Sequence, residues 1–271
     1  SNTGTTTDIT SDTGLTFAVD TTSAGDADFN APVLTVNNGV EVEVTAGTLA
    51  LNGTTINLDG NLTASTITGT ASTVNVIGST GGAEIQDAVD VAGAGETVTV
   101  GDGSFAGGIA IDKALTMLGN GFTAPTIVNV PSGGAGFTVS SSNVTFDGFR
   151  FTGGGSANTV GIVLDGRNGT SGGAVSGITI GDTIGNIFSG RLGTGVLALG
   201  DVDTLSISGN TFGLNDGSVD QQDRITRGIL SRVDRSGNNV IDGTGTILGR
   251  NDQGPFSDWL ITDNTFNLRS V

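Results

Sequence analysis

The chain has 271 residues, and its 27 Asp and Glu against 10 Lys and Arg leave a net charge of −17, with neither Cys nor His present. These absences exclude disulfides, thiolate chemistry, the Ser-His-Asp triad and ordinary zinc sites. All the cations fall at or after Lys113, so nucleic acid is not an expected partner, whereas a divalent cation or a salty medium is.

A content of 47 Gly and only 4 Pro, with a mean hydropathy of +0.12, describes a chain of tight bends with enough apolar residues to fold. No run of about 18 apolar residues offers a membrane span. Residues 1–30 are weakly patterned and are compatible with a linker, an arm exchanged with a neighbouring subunit, or a first strand. From residue 33 the sequence reads "VLTVNNGVEVEVTAGTLALNGTTINLDGNLTASTITG", short alternating runs cut by Gly39, Gly47, Gly53, Gly60 and Gly69. Strands this brief cannot bury a face alone and must stack on neighbours, as a meander or as the sides of a coil. Period-two alternation places Val40, Val42 and Val44 on a core face and Glu41 and Glu43 on a wet one. The Thr rows at 5–7 and 65–73 are similar to those of ice-binding solenoids but lack a regular Thr-x-Thr register, and read as strand formers with a wet face.

At "EIQDAVDVAGAGETVTVGDGSF", residues 84–105, the period changes: Ile85, Ala88, Val89 and Ala92 follow helical spacing. Short strands resume at 96–120. Helix, "GETVTVGDGSF" and "IAIDKALTMLGNG" together resemble the entry to a pectin lyase-like right-handed parallel β-helix. That resemblance implies an all-β solenoid over 80–271 whose helix caps an open first coil; the Thr/Gly-rich strand segment over 1–79 either continues the solenoid or forms a small β domain or assembly arm of its own. Further along, "VTFDGFRFTG" (144–153), "ITIGDTIGNIFSG" (178–190), "LSISGNTFGL" (205–214) and "WLITDNTFNL" (259–268) each look like one coil corner. In them Phe151, Phe188, Phe212 and Phe266 are expected to point inward and stack. Their spacings of 37, 24 and 54 residues exceed a coil of about 20 to 25 residues in two cases, which implies skipped motifs or loops inserted at a corner.

The superfamily hosts lyases, hydrolases, tailspikes and adhesins, so the fold does not name the function. A His-dependent hydrolase is disfavoured by composition. A lyase needs acidic calcium ligands and a basic residue to abstract a proton; its candidates are Asp165 with Arg167, and Asp220, Asp223, Arg224 and Arg227. The stretch "DRSGNNVIDGTG" (234–245) resembles an EF-hand or dockerin calcium loop, with Asp234, Ser236, Asn238, the Val240 carbonyl and Asp242 as ligands. It departs from the pattern at Asn239, where Gly is expected, and at Gly245, where a bidentate acid is expected. One Trp, Trp259, and no Tyr disfavour a dedicated sugar-binding module. The expectation is therefore a non-catalytic, exported structural protein of a cell surface, extracellular filament or adhesin. It would self-assemble with its own copies through solenoid contacts and be stabilised by calcium. The alternative is a polysaccharide lyase or a tailspike-type protein that binds cell-surface polysaccharide.

Overall fold

The computed structural model describes residues 6–153, 158–167, 175–213, 227–233, 237–241, 247–248 and 259–267. The chain divides into two compact units, Ser1–Gly103 with Leu115–Leu118, and Ser104–Ala114 with Gly119–Val271. The division expected at residue 79/80 falls inside the first unit.

In the first unit the alternating runs become strands that visit three sheets in turn. Thr7–Thr10, Leu15–Phe17 and Thr21–Ser23 are followed by Ala27–Asn30, Val33–Val36 and Glu41–Val44, then by Thr48–Asn52, Thr55–Leu58 and Asn61–Thr63, and then by Thr66–Gly69 and Ala71–Val76. Thr7 lies beside Ala27, Ala27 beside Leu49 and Leu49 beside Ile67, all in parallel pairing, so the chain returns to one sheet after 20, 22 and 18 residues. Most of the strands turn aliphatic residues inward: Leu34, Val36, Leu49, Leu51, Ile56, Leu58 and Val74 are fully buried, while Ile9 and Val33 stay exposed. Val42 and Val44 are buried while Glu41 is exposed, as the alternation requires. Within the weakly patterned first 30 residues, Thr7–Thr10, Leu15–Phe17, Thr21–Ser23 and Ala27–Asn30 are paired strands.

The helix forms at Ile85–Val91, but its role differs from the one expected. Ala71–Val76, before it, pairs in parallel with Ala92–Val100, after it, and also with Thr55–Leu58. The helix therefore does not close an open first coil, because strands of the same sheet lie on both sides of it in sequence. It fills a side position, contacting Thr48–Asn52, Thr66–Gly69 and its two neighbouring strands. Covered on several sides, it buries Asp87 along with Ile85, Ala88, Val89 and Val91.

The second unit repeats the three-sheet cycle with larger residues. One sheet runs Gly103–Ala106, Thr126–Val130, Phe149–Gly153, Ile187–Gly190, Thr211–Phe212, Thr265–Phe266. Another runs Ile109–Ile111, Ala135–Val139, Val160–Gly166, Thr194–Gly200, Arg227–Val233, and continues antiparallel into Gly237–Ile241 and Ile247–Leu248. Val144–Asp147, Val175–Ile180, Val202–Ser208 and Leu260–Thr262 pair in that order. Stacked parallel sheets of short strands make both units all-β and compatible with a parallel β-helix.

The rings at the coil corners stack as the sequence spacing predicts. Phe151, Phe188, Phe212 and Phe266 lie with successive centroids 4.9, 4.8 and 4.8 Å apart and planes within 6° of parallel. The 37- and 54-residue gaps are thus insertions between rungs that are neighbours in space. Opposite the rings runs a glycine ladder, with Gly161 facing Phe188, Gly195 facing Phe212 and Gly228 facing Phe266. Beside the rings runs an asparagine ladder. Asn186 donates to the Asn210 side-chain oxygen at 3.0 Å, Asn210 to that of Asn264 at 3.0 Å, and the amides of Asn186, Asn210 and Asn264 also reach backbone carbonyls of Phe146, Ile180 and Ile207. Buried amides satisfied in this way fix the corner without leaving a polar group unpaired.

Candidate functional site

Asp165 and Arg167 end the strand Val160–Gly166. The Arg167 guanidinium donates from Nε and Nη2 to the two Asp165 carboxylate oxygens, both at 2.9 Å, and this hydrogen-bonded partner holds the Asp165 carboxyl below its ordinary value. The pair is local and half open to solvent on the Arg side. Arg227 does not join it. Arg227 is in register with Thr194, and Thr194 with Val160, so Asp165 lies two strands across and five residues, about 16 Å, further along the strand direction. Asp220, Asp223 and Arg224 lie outside the described residues. A guanidinium committed to its own neighbour is a poor proton acceptor, and Arg stays charged in proteins.

Of the calcium-loop residues, Asn238 and Val240 lie in the strand Gly237–Ile241, opposite Arg232 and Leu230. Asp234, Ser236 and Asp242 lie outside the described residues. Among the described residues no three His, Cys, Asp or Glu side chains come close enough to hold a metal ion. Trp259 donates its indole N–H to the Val202 carbonyl at 2.7 Å, the anchoring contact of a packed indole.

Two buried carboxylates escaped the sequence reading. Asp147 accepts backbone N–H groups of Thr183, Ile184 and Gly185, the last at 2.6 Å, and so pins the turn between two strands. Its sequence signal was only an Asp before Gly at a strand end. Asp87 lies in the helix with its Oδ2 buried and without a partner. Burial, and then the charges of Glu84 and Asp90, push its carboxyl up to about 7.

A shallow, open surface depression of about 430 Å³ lies in the first unit, with Thr10, Asp12, Asn30, Asn52, Thr54 and Thr70 among its lining residues. It is open to solvent, unlike the concave sites that enclose a small ligand. The Asn30 and Asn52 amides are already turned to Asp28 Oδ1, at 3.0 and 2.9 Å, and Thr70 donates to Asn52 at 3.1 Å. The lining offers hydroxyls and one carboxylate, a set that can hydrogen-bond a polyhydroxylated chain but holds no paired acid and base. Compared with family models, with curated proteins and with solved structures, the chain matches none of them.

Proposed function

We propose that this chain is an exported, non-catalytic structural protein built on a right-handed parallel β-helix of the pectin lyase-like kind. In this reading it serves a cell surface, filament or adhesin and assembles with its own copies through the ends and sides of the solenoid. The observation that carries the reading is repetition inside the core: ring upon ring, glycine upon glycine and amide upon amide at the same place in successive rungs. Such ladders propagate stiffness along a stack and favour a spacer, whereas a catalytic centre needs a local departure from the repeat in which unlike groups converge. Calcium in this reading neutralises surface carboxylates and those of Asp234 and Asp242. The second reading, a protein that binds or cleaves an extracellular polysaccharide, rests on the hydroxyls and the Asp12 carboxylate lining the open depression of the first unit.

Negative-stain electron microscopy of the purified chain, with millimolar Ca²⁺ and with chelator, separates the two. Ordered filaments or sheets that dissolve on chelation are the expected result. Dispersed particles in both conditions, joined by retention on an acidic polysaccharide, would transfer the assignment to the second reading.

A further inference from the structure

Regular Thr spacing, absent from the Thr-rich runs themselves, emerges on the outer face of one sheet in the first unit. Parallel pairing sets Val33 beside Thr55, Thr55 beside Thr73 and Thr73 beside Thr97. Two residues along the same strands, a second row sets Thr16 beside Thr35, then Asn57, Asn75 and Thr99. The intervening Leu34, Ile56, Val74 and Val98 are fully buried, so both rows face outward. Parallel in-register strands fix the grid at about 4.8 Å across strands and about 6.6 Å along them. β-branching holds each Thr in few rotamers. In the second row the amides are locked sideways, Asn57 donating to Thr35 at 3.4 Å and Asn75 to Asn57 at 2.9 Å.

We propose that this two-row face binds ice. A side-chain hydroxyl or amide holds one first-shell water in a preferred place. A rigid rectangular grid of such groups, with Thr methyls filling the space between, holds a sheet of waters in the kind of regular array that an ice surface presents. The charge distribution selects this occupant over others. Residues 1–112 carry acids and no bases, yet neither row contains a charged residue; Glu96 stands in the same sheet one place before Thr97 but outside both rows, and the two other sheets of the unit carry Asp8 and Asp28, and Glu41 and Glu43, within their strands. A neutral grid on an otherwise anionic unit fits a neutral, periodic partner. A second copy would bring its own uncompensated carboxylates, among them Asp59 and Asp102 just beyond the strand ends, against this one's. Neither row contains an aromatic ring, the usual platform for a crystalline polysaccharide. The inference is independent of the assembly proposed above, since it concerns the side of one sheet and a different ligand.

The test is thermal hysteresis and ice-affinity partitioning of the full chain, with circular dichroism to confirm folding. The expected result is a gap between melting and freezing points, faceted crystals and enrichment in slowly grown ice. Thr73→Lys should abolish all three, with Thr55→Lys as the second variant if the first does not fold. Thr66→Lys, exposed on a neighbouring sheet, should retain them. A folded wild-type chain that shows no hysteresis and is excluded from ice overturns the proposal. Equal loss in Thr66→Lys and Thr73→Lys, or retention on crystalline cellulose or chitin with none in ice, overturns it as well.

Discussion

Asp87 is a carboxyl placed where the helix has no use for its charge. One oxygen accepts a backbone hydrogen bond from Leu62, the other is buried and unpartnered, and the nearest charges, Glu84 and Asp90, are of the same sign. The carboxyl titrates at about 7 in the folded chain against 3.8 when free, so folding favours the protonated form. Its contribution is fully present below pH 3.8, declines as pH rises through the interval to about 7, and is lost above it. Asp87→Asn, which cannot ionise, should therefore be more stable than the wild type at pH 8, by up to about 4 kcal/mol if the whole shift is realised. The two should converge near pH 4. Paired thermal melts across that range check this, and a constant offset between the two proteins at all pH values would refute the assignment.

At the scale of elements, the second unit rests on the fit between one ladder of rings and one of glycines. A Cβ added at Gly195 would lie 2.6 Å from the Phe212 ring and 2.7 Å from the Gly228 carbonyl, closer than any relaxed packing allows. Gly195→Ala is expected to cost about 1–3 kcal/mol through overpacking, and Phe212→Ala about 3–5 kcal/mol through the lost ring and the cavity left behind. Because the two side chains share one space, Gly195→Ala should cost measurably less in a Phe212→Leu background; additive penalties in a denaturant double-mutant cycle would mean the ring does not sit on the glycine. The rings were legible in the sequence because Phe recurs after a bend of Gly, Asp or Asn, and a bulky residue at a fixed offset survives the loops inserted between rungs. Their partners were not. Gly161, Gly195 and Gly228 stand among 47 glycines, and the reason each is required lies on another strand. The helix was legible for the same kind of reason, its period differing from everything around it, whereas its place beside the sheet depends on Ala71–Val76 pairing with Ala92–Val100, a contact across the helix itself. The two-row Thr face stayed hidden because its register is set between strands. Along the chain Thr55-x-Asn57, Thr73-x-Asn75 and Thr97-x-Thr99 are separated by unequal turns, and only pairing aligns them.

At the scale of the whole molecule, charge divides the two units more sharply than any side chain does. The first unit holds thirteen of the 27 acidic residues and none of the ten basic ones, leaving fourteen acids and ten bases to the second, −13 against −4. Two exposed carboxylates 10 Å apart in water repel by about 0.4 kcal/mol, and strands stacked about 4.8 Å apart keep many such pairs within that range. With no cation in the unit to offset them, the repulsion accumulates, and folding concentrates it. Raising ionic strength from 0.01 M to 0.15 M shortens the screening length from about 30 Å to about 8 Å, which removes most of the longer-range pairs. Sodium chloride should therefore stabilise the first unit on the order of 1–2 kcal/mol, a figure built from those pairs, and the second unit by much less. Hydrogen exchange distinguishes the units within one chain. Amides of Val33–Val36, Thr55–Leu58 and Ala71–Val76 should gain more protection with salt than those of Val160–Gly166, Thr194–Gly200 and Val202–Ser208. Sodium chloride is the right reagent because sulfate also strengthens apolar burial and would raise protection in both units alike. An equal gain in the two sets of strands would show that the acidic surface of the first unit is already compensated, and the carboxylates would then have to be paired through ions held close to the strands.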